Sequence, residues 1–206
     1  VQYRSLAKPV LESRFTPDTA LGTLPQAMKT PTLAEKLGTT THISALLMKA
    51  KRVGLNAEGL ERLAIQRGCD YYDNGEKLAP VLVSREQFSN EELAIALLNP
   101  ALRYSPQTIR LGAAMLSAPG NDPRRLAQLA RMELAEAVVH YVALAGQKYE
   151  PQNSFWTELL SLLPEKPAPK SGVLPHPTRF VAMTGITRRG TETVTEWIRP
   201  AVPVSG

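Results

Sequence analysis

Between residues 33 and 163, apolar side chains return every three or four positions, the period of an α-helix that turns one face inward. Caps and breakers divide the stretch into separate helices. Thr32 and Glu35 fit a capping box ahead of Leu33, Ala34 and Leu37, and Gly38 supplies a stop. Ile43, Leu46, Leu47 and Ala50 read as a second helix, with Lys49, Lys51 and Arg52 in its last turns, where positive charge complements the helix dipole, and Gly54 beyond. Asn56 is placed to cap a third, which carries Leu60, Leu63 and Ala64 inward until Gly68. Ser89 and Glu92 repeat the capping box before Leu93–Leu98, and Pro100 closes that helix. Ser105-Pro106 and Asp122-Pro123 each open a further helix with a cap followed by proline at the first helical position. The second of these reads as the longest in the chain, one stripe running from Leu126 through Ala130, Leu134, Val138 and Tyr141 to Ala145, with Gly146 at its end. Ser154 reads as the cap of a last helix, carrying Phe155, Leu159 and Leu162 up to Pro164.

The pattern changes in three other places. Residues 1–30 mix Pro9, Pro17, Pro25 and Gly22 with polar and apolar residues, which predicts an extended arm. Near 70–84, Asp73-Asn74-Gly75 is a turn signal and Pro80 to Val83 is short, apolar and β-branched, which predicts a small hairpin or extended excursion. Residues 164–178 alternate prolines with Lys, Ser and Gly and read as a linker, after which 179–206 read as a β-hairpin and tail with Arg188, Arg189 and Gly190 at its tip. The expected fold class is therefore mainly α, a multi-helical orthogonal or stacked bundle of about seven helices over residues 31–163, with a small hairpin near 70–84 and a C-terminal β-hairpin.

Composition adds little to this picture. Hydrophobic residues make up 43% and charged residues 21%, ordinary globular usage that predicts a self-standing core. No apolar run approaches the roughly 20 residues that span a bilayer, so no membrane partner is expected. Cys69 is the single cysteine, which excludes an internal disulfide framework, and the N-terminus carries no charged-then-apolar signal pattern. The expected compartment is the reducing cytoplasm.

Charge changes the picture more. Net charge is +5 and the isoelectric point about 9.4, with the basic excess in residues 1–60 and 101–206 and an acidic balance between them. Such a surface attracts nucleic acid or other polyanions.

The strongest candidate for function is the helix pair over residues 33–53, which resembles a helix-turn-helix. In that motif a glycine turn sets the second helix across the first, small polar side chains at its start meet base edges, and Lys or Arg neutralises phosphates. Thr40, Thr41, His42 and Ser44 would supply the first contacts and Lys49, Lys51 and Arg52 the second. The pattern departs at the turn, because Ile43 follows Gly38 by five positions rather than six. One missing residue rotates the second helix by about 100°. An ordinary helical hairpin is the competing reading. Arg188 and Arg189 at the C-terminal hairpin tip are a further nucleic-acid candidate, although two arginines on a loop also serve simply to keep it solvated.

Other chemistry has less support. Glu133, Glu136 and His140 would share a face of a single long helix, as carboxylate and imidazole ligands must, but the spacing is Glu-x-x-x-His without a second copy. The stretch from Asp70 resembles a calcium loop until Val81 takes the place of the bidentate glutamate, which excludes that reading. His42, His140 and His176 are scattered, and no Gly-x-Ser-x-Gly elbow, Walker loop or dinucleotide glycine pattern is present. Cys69 lies beside Asp70, which disfavours its thiolate.

The expected protein is therefore non-enzymatic, needs no cofactor or metal, and binds a macromolecule, with nucleic acid favoured. A protein-interaction scaffold, complex subunit or homo-oligomer is the second reading, and a helical metal-dependent enzyme built around Glu133 to His140 the third.

Overall fold

The computed structural model describes residues 30–73, 75, 79–165, 167, 169–184 and 194–201. The N-terminal arm, apart from Thr30, and the tip with Arg188 and Arg189 lie outside them. Eight α-helices are present among the described residues: α1 Leu33–Leu37, α2 Ala45–Arg52, α3 Ala57–Gln66, α4 Asn90–Leu97, α5 Pro106–Leu116, α6 Pro123–Met132, α7 Glu136–Tyr149 and α8 Ser154–Leu162. Two strands, β1 Val181–Thr184 and β2 Val194–Trp197, pair antiparallel with Val181 opposite Trp197 and Thr184 opposite Val194. The mainly α, multi-helical fold with a C-terminal hairpin is borne out.

The caps form as their residues dictate. Thr32 and Ser89 each make a complete capping box, the Thr32 and Ser89 backbone N–H groups donating to Glu35 and Glu92. Ser105 and Asp122 cap α5 and α6 ahead of Pro106 and Pro123. Helix α1 is docked through its exposed-end donors: Leu33 N–H reaches Leu102 O and Ala34 N–H reaches Pro100 O, both at 2.8 Å.

Helix α4 lies at the centre. Every residue from Leu93 to Leu97 is buried, the signature of a helix enclosed on all sides, and α2, α3, α5 and α6 pack around it. Helices α6, α7 and α8 form a second group whose core meets the hairpin through Trp156, Phe180 and Trp197. Leu174, from the proline-rich stretch, is buried in the same cluster, and Tyr141 donates its hydroxyl to Pro175 O.

Four local expectations are corrected. The long helix over 122–146 is two helices, because Leu134 takes a left-handed backbone with φ 52° and turns the chain between α6 and α7. Gly146 does not end α7, which continues to Tyr149; it sits inside the helix against the Trp156 ring. Asn153, not Ser154, caps α8. Around 70–84, of the hairpin and the extended excursion that the sequence allows, no hairpin ladder forms among the described residues: a 3-10 turn at Asp70–Tyr72 leads into irregular chain.

Candidate nucleic-acid interface

The chain from Thr39 to Ile43 has no regular secondary structure, and α2 begins only at Ala45, with Ser44 as its cap. Six residues therefore separate Gly38 from the second helix, and the compact turn of a helix-turn-helix is not formed. Ile43, expected on the buried face of α2, precedes the helix and is 87% exposed. Thr40 and Thr41 remain on the surface.

Ser44 points the other way. Its hydroxyl accepts from Leu47 N–H at 2.9 Å and from Asn99 Nδ2 at 3.0 Å, and donates to Glu133. Glu133, only 2% exposed, takes Leu46 N–H at 2.8 Å and Asn99 Nδ2 at 2.8 Å. A carboxylate is thereby set against the first turn of α2, where unpaired N–H groups and the helix dipole favour negative charge. A hydroxyl engaged this way has no capacity left for a base edge, which removes Ser44 from the predicted contact set. His42 Nε2 lies 3.7 Å from Glu133 Oε2, and neither ring nitrogen has a hydrogen-bond partner among the described residues.

This arrangement also settles the geometry of the suggested metal ligands. Glu133 is the C-cap of α6, while Glu136 and His140 lie on α7, beyond the Leu134 turn. Among the described residues no group of three or more His, Cys, Asp or Glu side chains converges as metal ligands would. Cys69 is fully buried, and burial first and the Asp70 charge second push its thiol up to about 12, far from a reactive thiolate.

At the other end of α2 the cations divide. Lys49 Nζ meets both oxygens of Glu92 at 2.6 and 2.7 Å and lies 5.6 Å over the Phe88 ring, so its charge is partly spent inside the molecule. Lys51 and Arg52 are exposed, with no carboxylate within salt-bridge reach among the described residues.

The same Glu92 gathers charge from elsewhere. Arg125, at the start of α6, lies 3.9 Å from it. Arg67, just past α3, donates to Asn90 Oδ1 at 3.0 Å and to Phe88 O at 2.6 Å, beside the N-terminus of α4. Burial, and then the neighbouring Arg85 charge, lower the Arg67 pKa, while Glu92 opposes both. Lys49 and Arg125, from two separate helices, thus share the buried Glu92 carboxylate, while Arg67 is bonded beside it with Arg85 as its neighbour.

Sequence reasoning singled out Lys49, Lys51 and Arg52 but missed Arg67, Arg85 and Arg125. No local pattern marks them, since their grouping depends on how α3, α4 and α6 pack. Arg124 and Arg131 are exposed and lean on α8: Arg124 lies 3.6 Å from Glu158, and Arg131 donates to Leu162 O.

No family model, curated protein or solved structure matches the chain. Among the described residues no helix is long and apolar enough to cross a membrane.

Proposed function

We propose that the protein is a non-enzymatic nucleic-acid-binding protein that grips the phosphate backbone over the surface where α2 ends, α3 ends and α6 begins. The observation that carries this reading is the grouping of Lys49 and Arg125 on the buried Glu92 carboxylate, with Arg67 bonded beside it and Arg85 as its neighbour, next to Lys51 and Arg52, which have no salt-bridge partner among the described residues. Glu86, Glu91 and Asp70 lie in the same region, so among the described residues these six cations meet four carboxylates there. Like charges held together without matching counter-ions are stabilised when phosphates take the place of bound water and salt. Thr40 and Thr41, exposed ahead of α2, add hydroxyl donors for phosphate or sugar.

Fluorescence anisotropy with labelled duplex and single-stranded DNA and RNA tests the proposal. With four to six phosphate contacts, affinity falls about 100- to 1,000-fold between roughly 50 and 200 mM salt. Replacing Lys51 and Arg52 together by Glu weakens binding at least about tenfold while leaving the far-ultraviolet dichroism unchanged, because both side chains are exposed. Absence of salt-dependent binding at low ionic strength removes the reading.

One observation favours a protein partner or self-association as the second reading. Ile43 and Leu134 are 87% and 57% exposed and each adjoins a member of the His42 to Glu133 contact, with Met132 nearby at 62%. Exposed apolar side chains that lie together are covered in interfaces more often than they are left in water. Light scattering across a concentration series distinguishes the two, and a monomer at all concentrations rules out self-association.

A further inference from the structure

A second region of the molecule collects charge in a different way. A cavity of about 580 Å³ opens where α3, the 3-10 turn at Asp70–Tyr72, the middle of α5 and the approach to β1 meet. That volume falls in the range of small-molecule sites. Its base is well tied: Tyr72 is buried and donates its hydroxyl to Arg179 O at 3.2 Å, and Gln107 Nε2 reaches Tyr72 O at 3.2 Å. None of its lining residues belongs to the cationic surface around Glu92.

The lining carries three guanidinium groups, on Arg62, Arg110 and Arg179, and three carboxylates, on Glu58, Glu61 and Asp73. Among the described residues only one pair of them is in ionic contact. The closest approach is Arg62 Nε to Glu58 Oε1 at 3.8 Å, along one helix and beyond hydrogen-bond distance, and Arg62 Nε is buried with no partner among the described residues. Arg110 stacks 5.9 Å over the Tyr72 ring and donates Nε to Pro106 O at 3.2 Å, and its terminal amino groups have no partner among the described residues. Glu61 is fixed by the buried Thr108 hydroxyl, and its second oxygen has no donor among the described residues. Charges of both signs thus line one half-open space, most of them without a charged partner among the described residues.

A ligand with a single charge meets as much repulsion as attraction in such a space. A ligand with both charges does not. Ile65 and Val181 add an apolar wall, and Tyr71, 63% exposed and edge-on to Tyr72 at 5.3 Å, offers a ring face at the rim. We propose that this cavity binds a small zwitterion, an α-amino acid or dipeptide with an apolar or aromatic side chain. Its carboxylate is held by Arg110 and Arg62, its ammonium group by Glu61 and Asp73, and its side chain lies against Ile65, Val181 and Tyr71. Two charge-assisted hydrogen-bond sets acting at opposite ends of the ligand fix its orientation, and removing either leaves a pocket charge unpaired.

The test is a two-dimensional amide NMR titration of the full chain with L-leucine, L-phenylalanine and glycyl-L-phenylalanine. N-acetyl-L-phenylalanine, which keeps only the negative charge, and L-phenylalanine amide, which keeps only the positive one, serve as controls. The expected result is saturable shifts at residues lining the cavity with at least one free zwitterion, and roughly tenfold or weaker binding of both blocked forms. In Arg110→Gln the free amino acid and its amide should bind alike, and in Glu61→Gln the free amino acid and its N-acetyl form should bind alike. Those changes in preference do not arise from a purely structural defect. Blocked forms binding as well as the free ones, or no shifts with any zwitterion, overturn the proposal without bearing on the nucleic-acid reading, whose residues are different.

Discussion

Gly146 stands inside α7 at a point where an ordinary side chain has no room: a Cβ there would lie 2.3 Å from Cε2 of Trp156. The indole is fully buried, edge-on to both Phe155 and Trp197, and anchored by Nε1 donating to Glu150 at 2.9 Å. Alanine would gain about 1 kcal/mol of helix propensity, but forcing a rigid, tethered ring aside costs about 1–3 kcal/mol or more. Gly146→Ala should therefore lower stability by roughly 1–2 kcal/mol in urea unfolding, and an equal or higher midpoint would refute the argument. Cys69 offers a test by pH. Its ordinary value is 9.0 and the folded protein holds it at about 12, so the folded state keeps a proton that the unfolded chain releases. Stability from this group is complete below pH 9 and is lost as pH rises toward 12, at up to about 1.4 kcal/mol per unit. Tyr72 and Tyr141, also raised by burial, act with the same sign at higher pH. Cys69→Ala should accordingly lose stability less steeply than the parent between about pH 9 and 10. Parallel slopes would show that the thiol is not the group responsible.

Helix ends show how side-chain chemistry becomes architecture. Beyond α1, α2, α3 and α6 the same pair of hydrogen bonds closes the last turn; for α6, Ala135 N–H reaches Ala130 O at 2.8 Å and Leu134 N–H reaches Arg131 O at 3.3 Å. The residue at the turn must adopt a left-handed backbone, and Gly38, Gly54 and Gly68 do so after the first three helices. Leu134 does so after α6, the one non-glycine with positive φ among the described residues. Left-handed strain in an L-residue costs roughly 1–2 kcal/mol, and glycine returns about 0.5–1 kcal/mol of that through its freer unfolded chain. Because the leucine side chain is largely exposed, Leu134→Gly should raise stability by about 0.5–1 kcal/mol, measured by chemical unfolding. A loss instead would mean that leucine packing outweighs the strain. The three glycine ends and both capping boxes were legible in the sequence because the local chemistry names them. The break after α6 was not, because leucine continues the apolar stripe. Nor was the Glu133 cluster, since it joins Ser44 and Asn99 across 89 and 34 positions. Lys49 read as a free cation for the same reason, its partner Glu92 lying 43 positions away.

At the scale of the whole molecule, the question is whether the hairpin is an appendage or part of the core. The proline-rich stretch from 164 reads as a tether, which would let β1 and β2 unfold separately. Packing favours a single unit: Phe180, Trp197 and Ile198 belong to one continuous buried cluster with Leu33, α4 and α7. Trp197 lies 4.9 Å from Trp156 of α8 and 5.7 Å from Phe180, and Ala201 N–H bonds Gly68 O at 2.8 Å, which ties the end of the described chain to α3. Removing the Trp197 ring should cost about 3–5 kcal/mol, the usual range for a large buried aromatic truncated to alanine. Cooperativity tests the same point in the unmodified protein. The chain holds two tryptophans, both at the junction of hairpin and helices, whereas far-ultraviolet dichroism reports the helices. If the core is continuous, tryptophan fluorescence and dichroism follow one transition in urea with the same midpoint. If the hairpin is held only by its tether, fluorescence changes first and the helical signal persists. The buried pair of indoles requires the first outcome, because neither ring can reach water without opening the packing between α7, α8 and β2.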